Sequence, residues 1–410
     1  MAGQPNILWI VTTQWRASST GYAGDANART PWLDGLASEA VNYTQAVTPH
    51  PLGPQARAAL LTGKLCPENG VSDYWDPLPV TARTVAHALH DRGYVTAFFG
   101  KWHLAERDRT MPFVGQEHAR QIVPPGRRGG FEFWEGFESG FLLNDPWLHG
   151  TRLPQPKQFK GYQADVLCER AAAWCKEHGA RRAATGRSFF CVVSLEAPHP
   201  PYHAPAPHVA ERKPAEITLA ANVPRGGTAE KIAREELAGY YAHIEATDRA
   251  IGRLLAEVDL SETVVVFTSV HGDMHGAHGL FRKAWPYEES IRVPLLIRRE
   301  RGARGKEPNA TDGSPVSLVD LPHMAVAWAE GREWLNKRDS AVISMPAATE
   351  IPLQCPQAWR GFRSPRHKLV LNADGTPWLY FDLEHDPLEM KNLAGDPARS
   401  GEIEALSQLL

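Results

Sequence analysis

The sequence predicts an α/β fold: a mostly parallel central sheet with helices on both faces, then a small antiparallel sheet in the C-terminal tail. Three observations carry this. Continuous apolar runs of strand length occur at Asn6–Thr12, Ser188–Leu195 and Thr263–Thr268, the pattern of strands buried on both faces. Longer segments with apolar residues at three-to-four spacing lie between them, so strands alternate with helices, as a parallel sheet requires. Polar clusters follow the C-terminal ends of the runs, where ligands sit in open α/β sheets.

Asn6–Thr12 (Asn-Ile-Leu-Trp-Ile-Val-Thr) opens the sheet, and a polar loop leads to Thr30-Pro-Trp-Leu-Asp-Gly-Leu-Ala. That segment reads as a helix start with proline in its first turn. Thr81–Arg92 reads as a helix stopped by Gly93, and Tyr94–Phe99 as the next strand, followed by Gly100-Lys-Trp-His-Leu. Residues 106–160 are rich in Pro, Gly, Arg and aromatics without a sustained period and read as long ordered loops. Gln163–Glu177 is expected as a helix with Val166, Leu167, Ala171 and Trp174 inward. Ser188–Leu195 ends in Glu196-Ala-Pro-His-Pro-Pro. A helix from about Ala229 to Val258 places Ile232, Leu237, Tyr241, Ile244, Ile251 and Leu255 on its apolar face. Thr263–Thr268 feeds Ser269-Val-His-Gly-Asp-Met-His-Gly-Ala-His-Gly. In the tail, residues 368–383 form two short strands around an Asp-Gly turn. Trp9, Trp32 and Trp285 are read as core or cleft wall. The expected organisation is a core over 1–335 and a C-terminal subdomain over 336–410.

The 410 residues suffice for one large domain, or a large and a smaller one. At 43% hydrophobic and 22% charged, the composition is that of a soluble globular protein. A formal net charge of −3 makes no case for nucleic acid or an anionic membrane as partner, so any anion site must come from a local cluster of cations. No apolar run approaches the roughly 20 residues of a membrane span. Met1-Ala-Gly-Gln-Pro runs into the first strand without a basic-then-apolar leader. Cys66, Cys168, Cys175, Cys191 and Cys355 are widely spaced, as scattered reduced thiols are. The expected location is the cytoplasm. Oligomeric state is left open.

Residues 51–63, Pro-Leu-Gly-Pro-Gln-Ala-Arg-Ala-Ala-Leu-Leu-Thr-Gly, stand out. They resemble the signature of the type I sulfatases of the alkaline phosphatase superfamily, Cys (or Ser)-x-Pro-Ser-Arg followed by Ala-x-Leu-Leu-Thr-Gly. Further fragments fall in the family's order: Pro5-Asn-Ile-Leu, Thr30-Pro-Trp-Leu-Asp-Gly-Leu-Ala, Gly100-Lys-Trp-His-Leu, Pro198-His-Pro-Pro, His271-Gly-Asp-Met, Pro286-Tyr-Glu-Glu-Ser-Ile-Arg-Val-Pro and Asp386-Pro-Leu-Glu-Met-Lys-Asn-Leu. Together they cover nearly the whole chain. The resemblance implies the sulfatase fold, with the tail as its small antiparallel subdomain.

Against that pattern, one functional unit is missing. In the family the first residue of the signature is oxidised to formylglycine, whose hydrate is the nucleophile; here Gly53 holds that position. Pro54, Gln55 and Ala56 also depart from the signature, so the recognition sequence for the oxidation is lost too. The family's calcium needs hard oxygen ligands. Thr13 and Val270 stand where two of its aspartates are expected, leaving only Gln14 and His271. No calcium, no formylglycine and no other metal cofactor is expected.

The anion-contacting positions persist. By resemblance, Arg57, Lys101, His103, His199 and Lys283 hold the nucleophile and the sulfate oxygens, and such a set binds a sulfo or phospho group through charge-assisted hydrogen bonds. Catalytic candidates are therefore His199, His103, Lys101, Lys283 and His271; substrate-binding candidates are Arg57, Lys101, His199, Lys283 and Gln14. Alone, Arg57 reads as a helix-surface charge, and Lys101 or His103 as a satisfied polar residue at a strand end. Additional histidines (His203, His208, His275, His278) surround the same loops; imidazole chemistry raises a zinc site at His271, His275 and His278, although a glycine-rich loop does not imply their convergence.

Three readings follow. A sulfate ester can react at carbon, with sulfate leaving by elimination or ring closure, a histidine taking the proton and the cations holding the anion. Alternatively the chain is a pseudoenzyme that binds a sulfated or phosphorylated small molecule or a partner. In the third reading, a residual hydrolase uses water as the nucleophile.

Overall fold

The computed structural model describes residues 4–303, 307–408 and 410. A ten-stranded sheet runs in the order Thr311–Asp312, Val41–Tyr43, Leu295–Arg298, Thr263–Ser269, Asn6–Thr12, Phe189–Ser194, Val95–Lys101, Phe133–Phe137, Trp147–Gly150, Lys157–Gln158. The five strands from Thr263–Ser269 to Phe133–Phe137 are mutually parallel, and antiparallel pairs occur toward both edges. The expected α/β class, with a mostly parallel sheet, is what the chain adopts.

The first strand shows why. Leu8 and Ile10 face one apolar layer, and Ile7, Trp9 and Val11 the other, all essentially inaccessible. Side chains alternate across a strand, so a run apolar at every position is stable only when both faces are covered. The helices Gln163–Thr185 and Thr228–Ala256 cover the first layer; Gly53–Thr62, Val85–His90 and Leu321–Ala329 cover the second.

Several expected boundaries shift. The helix placed at Thr81–Arg92 is only Val85–His90, because Thr84 caps it with its hydroxyl accepting from Ala86 N–H. The helix beginning at Gln163 continues to Thr185, where Gly186 takes the left-handed conformation that ends it. Residues 106–160 are not all loop: three sheet strands and a short helix, Gln116–Arg120, lie among them. Aperiodicity hid them because the strands are short and carry glycine at Gly136 and Gly150. Ile232, expected on the inner face, is 36% exposed, and Trp32 is 51% exposed rather than core or cleft wall.

The tail holds four antiparallel strands, Ala341–Met345, Trp359–Arg363, His367–Asn372 and Pro377–Asp382, where two were expected. Their apolar face packs on Val47, Leu52, Ala284 and Ile291. Ion pairs reinforce the contact: Glu288 binds Arg363 at 2.9 Å and Lys368 at 3.2 Å, and Lys368 also pairs with Glu389. The cysteines are free thiols. Among the described residues no helix is long and apolar enough to cross a membrane.

Candidate active site

At the C-terminal end of the sheet, a cavity of about 210 Å3 gathers Lys101, His103, His199, His271 and Lys283 around Thr13 and Gly53. The backbone there is tightly constrained. Gly100 has φ +101°, and a Cβ on it would stand 2.1 Å from the Ser194 carbonyl oxygen, so only glycine lets the strand end aim Lys101 inward. Gln14, His103, Phe141 and Arg282 all hold positive φ, a conformation that costs free energy and clusters at functional sites.

Lys101 Nζ donates to Glu196 Oε1 at 2.8 Å, a pair with almost no solvent access, and lies 4.3 Å from the Phe141 ring centroid. Phe141 in turn stacks on His199 at 4.5 Å. Lys283 Nζ donates to Gln14 Oε1 at 2.6 Å and lies 3.0 Å from His199 Nε2. His199 Nδ1 is 2.8 Å from the Pro200 carbonyl oxygen; the N–H therefore sits on Nδ1, and Nε2 accepts from Lys283. Burial, the largest influence, lowers the Lys101 ammonium to about 8 despite Glu196, and the Lys283 ammonium to about 7. Burial and the neighbouring cations hold His103, His199 and His271 well below the usual imidazole range, so all three are neutral at pH 7.

The vacancy left by the missing nucleophile is occupied. A Cβ on Gly53 would stand 2.9 Å from His103 Nδ1 and 3.1 Å from its Cε1. That Nδ1 is buried and has no hydrogen-bond partner, while Nε2 lies 3.3 Å from the Tyr74 hydroxyl. Gly53 begins the helix Gly53–Thr62, so the positive end of that helix adds to the local potential.

The residues at the family's metal position do not fit a calcium ion. Thr13 Oγ1 donates to the Leu195 carbonyl and accepts from Arg57 Nη2, and Val270 is fully buried hydrocarbon. Gln14 is held at both ends, by Lys283 on its oxygen and by Asp273 and Tyr202 on its nitrogen. Asp273 also accepts from the backbone N–H of His275 and Arg282; burial pushes its carboxyl up, but His275 and Arg282 hold it well below the usual carboxylate range. Among the described residues, the groups with three metal-competent atoms within 4.8 Å of one another are His278–Glu289–Glu389 and Asp382–Glu384–His385, and neither includes a cavity residue.

Two expectations need correction. Arg57 does not line the cavity: Nη1 bonds Ser194 Oγ at 2.6 Å and the Lys101 carbonyl at 3.2 Å, and Nη2 bonds Thr13 Oγ1 at 2.8 Å. It braces the strand ends instead of facing a ligand. Gln14 is likewise not among the residues that line the cavity, its amide being bound by Lys283, Asp273 and Tyr202. The histidines raised as a zinc site do not converge, in keeping with a glycine-rich loop. His275 is buried against Tyr240 and His278 stacks on Tyr287, while His203 and His208 point to solvent. The sequence reading missed Tyr74, Phe113, Phe141, Arg282, Ile351 and Gln354, all of which line the cavity. They lie in segments without periodicity, which carry no signal of convergence.

A mostly parallel sheet with a cationic pocket at its strand ends, joined to a small antiparallel sheet, is the architecture of an α/β protein with a ligand site at the strand ends. The chain belongs to the sulfatase family, whose model, described as "Sulfatase", matches residues 5–331. It is 34% identical to the ulvan-active sulfatase of Formosa agariphila over 96% of this chain and 78% of that one. It is 26% identical to the choline-sulfatase of Rhizobium meliloti, over 96% of this chain and 83% of that one. Its fold is similar to that of a solved structure bound to its substrate, D-glucosamine-2-N,6-O-disulfate, with a TM-score of 0.79, 21% identity and coverage of 99% of this chain and 97% of that one.

Proposed function

We propose that this sulfatase-family protein binds a sulfate ester by its sulfo group and cleaves the ester at carbon, with sulfate leaving, instead of hydrolysing it at sulfur. The observation that carries this is the arrangement around Gly53. Two lysine ammoniums line the cavity, while His103 fills the space of the missing nucleophile with an unpartnered, neutral Nδ1. Attack at sulfur through a covalent intermediate needs a nucleophilic side chain, and Gly53 carries none. Cleavage at carbon needs a base and an anion hole; the unpartnered His103 Nδ1 and the two lysines are the groups that support this reading.

In the step proposed, His103 Nδ1 takes a proton from the carbon next to the ester-bearing carbon. The released C–H pair forms a C=C bond, and the C–O pair leaves with sulfate. Charge balances: a monoanionic ester and neutral imidazole become sulfate dianion and imidazolium. Lys101 and Lys283 stabilise the charge that grows on the departing oxygen. With a substrate hydroxyl in place of the C–H, its oxygen bonds the ester-bearing carbon as the C–O bond to sulfate breaks, and its proton goes to His103 Nδ1, closing a ring.

The origin of the sulfate oxygens tests this. With 2-phenylethyl sulfate or another sulfate ester that turns over in 18O-water, the released sulfate is expected to carry no label. One 18O per sulfate would establish attack at sulfur and overturn the reading. Inorganic sulfate binding with no turnover of any ester would support the pseudoenzyme instead.

A further inference from the structure

We infer that the ester this pocket takes is a small, single-ring amphiphile whose organic part is apolar and carries one hydrogen-bond donor, not a sulfated sugar. This rests on the sulfo group occupying the cationic floor, as proposed above.

The walls change character from floor to mouth. Besides Tyr74, Arg282 and Gln354, the lining away from the lysines includes Phe113 and Val114 from one loop, Pro200 and Pro201 from a second, and Ile351 and Pro352 from a third. Phe113 and Val114 are 40% and 59% exposed, and Leu353 beside Pro352 is 59% exposed. Exposed apolar groups on separate loops are ordinary when scattered; meeting around one cavity mouth, they mark a binding surface. A sugar ring would set its hydroxyls against these side chains without replacing their water, an unfavourable exchange. An apolar ring loses nothing and removes wall area from water.

Size sets the limit. The cavity of about 210 Å3 lies below the roughly 300–1,000 Å3 of pockets for drug-sized ligands and somewhat above the ~150 Å3 cavity that accepts benzene. It therefore encloses a sulfo group and part of one ring, and the rest of the ring would meet the apolar lining that includes Phe113 and Ile351.

Gln354 supplies the polar requirement. It lines the same cavity, is 8% exposed, and its Oε1 is buried without a hydrogen-bond partner. A buried amide oxygen left unpaired is unfavourable, so a ligand hydroxyl or N–H that reaches it gains both affinity and orientation. Cleavage at carbon adds one condition: the ester oxygen must sit on a saturated carbon, which makes the organic part an arylalkyl or alicyclic group.

Calorimetry on the full chain with inorganic sulfate, glucose 6-sulfate, 2-phenylethyl sulfate and its 3- and 4-hydroxyphenyl analogues tests this. 2-Phenylethyl sulfate is expected to bind at least about tenfold tighter than inorganic sulfate, and one hydroxylated analogue a further about fivefold tighter. Gln354→Ala should erase that further gain, and Phe113→Ala or Ile351→Ala should shrink the ratio of phenylethyl to inorganic sulfate affinity. Glucose 6-sulfate binding as tightly as 2-phenylethyl sulfate would overturn the inference while leaving the anion site intact. Failure of inorganic sulfate and every ester to bind would overturn the anion reading itself.

Discussion

His103 Nδ1 lies 2.9 Å from the point where a side chain on Gly53 would begin. A side chain restored at Gly53 would therefore meet the imidazole, which must shift to admit it. Gly53→Cys and Gly53→Ser are expected to destabilise the fold by about 1–3 kcal/mol, since His103 must move from a packed position. Neither should gain hydrolysis of 4-nitrophenyl sulfate, read by release of the phenol. A gain of even 100-fold over the parent would show that the pocket remains poised for attack at sulfur.

Anion affinity should fall with rising pH. Burial lowers the Lys283 ammonium to about 7 and that of Lys101 to about 8. Below those values both are charged and hold sulfate; above them charge is lost, unless the bound anion restores it by drawing a proton from solution. Calorimetry at pH 6 and pH 9 should show at least about a tenfold weakening, with proton uptake at pH 8 revealed by buffers of different ionisation enthalpy. Lys283→Met should flatten the profile.

The same shifts carry a stability prediction of opposite sign. A lysine ammonium lowered in the folded state means that the unfolded chain binds more protons between about 7 and the ordinary lysine value. Unfolding free energy contributed by Lys283 therefore rises with pH across that window. Without ligand, the parent protein should gain melting temperature relative to Lys283→Met between pH 7 and pH 10; a loss would contradict the burial assigned to this side chain.

Glu196 accepts from Lys101 at 2.8 Å, with both side chains excluded from solvent. Removing one partner of such a pair costs about 3–5 kcal/mol, whereas removing both costs less. Glu196→Ala should therefore destabilise more than the Glu196→Ala, Lys101→Met double variant in urea unfolding. Equal or additive losses would mean that the pair is not coupled.

Chelation should leave the protein unaffected. Gln14 Oε1 is already bound to Lys283, and Val270 offers no donor. Neither EDTA nor millimolar calcium is expected to move the melting temperature or the sulfate affinity. A calcium-dependent shift that Gln14→Ala abolishes would place a metal where the ammonium now sits.

The α/β class, the family and the placing of the pocket at strand ends were legible because they depend on local pattern. Ile7–Val11 is apolar at every position, and Gly100-Lys-Trp-His-Leu begins on the last two residues of the strand Val95–Lys101. The pocket wall was not legible. Tyr74, Phe113, Phe141, Ile351 and Gln354 come from aperiodic segments far apart in the chain, and nothing local records which loops face each other. Arg57 shows the same limit from the other side: its type suggested an anion contact, but its guanidinium braces Thr13, Ser194 and Lys101.

By itself, the sequence determined the fold class, the family and the absence of a reactive side chain at Gly53, because residue identity and spacing are chemical facts that no packing alters. Only the tertiary structure decided what replaces it. The approach of His103 to Gly53, of Lys283 to Gln14 and of the apolar loops to the cavity mouth depends on long-range packing, where burial moves a lysine's proton and positive-φ backbones aim the side chains.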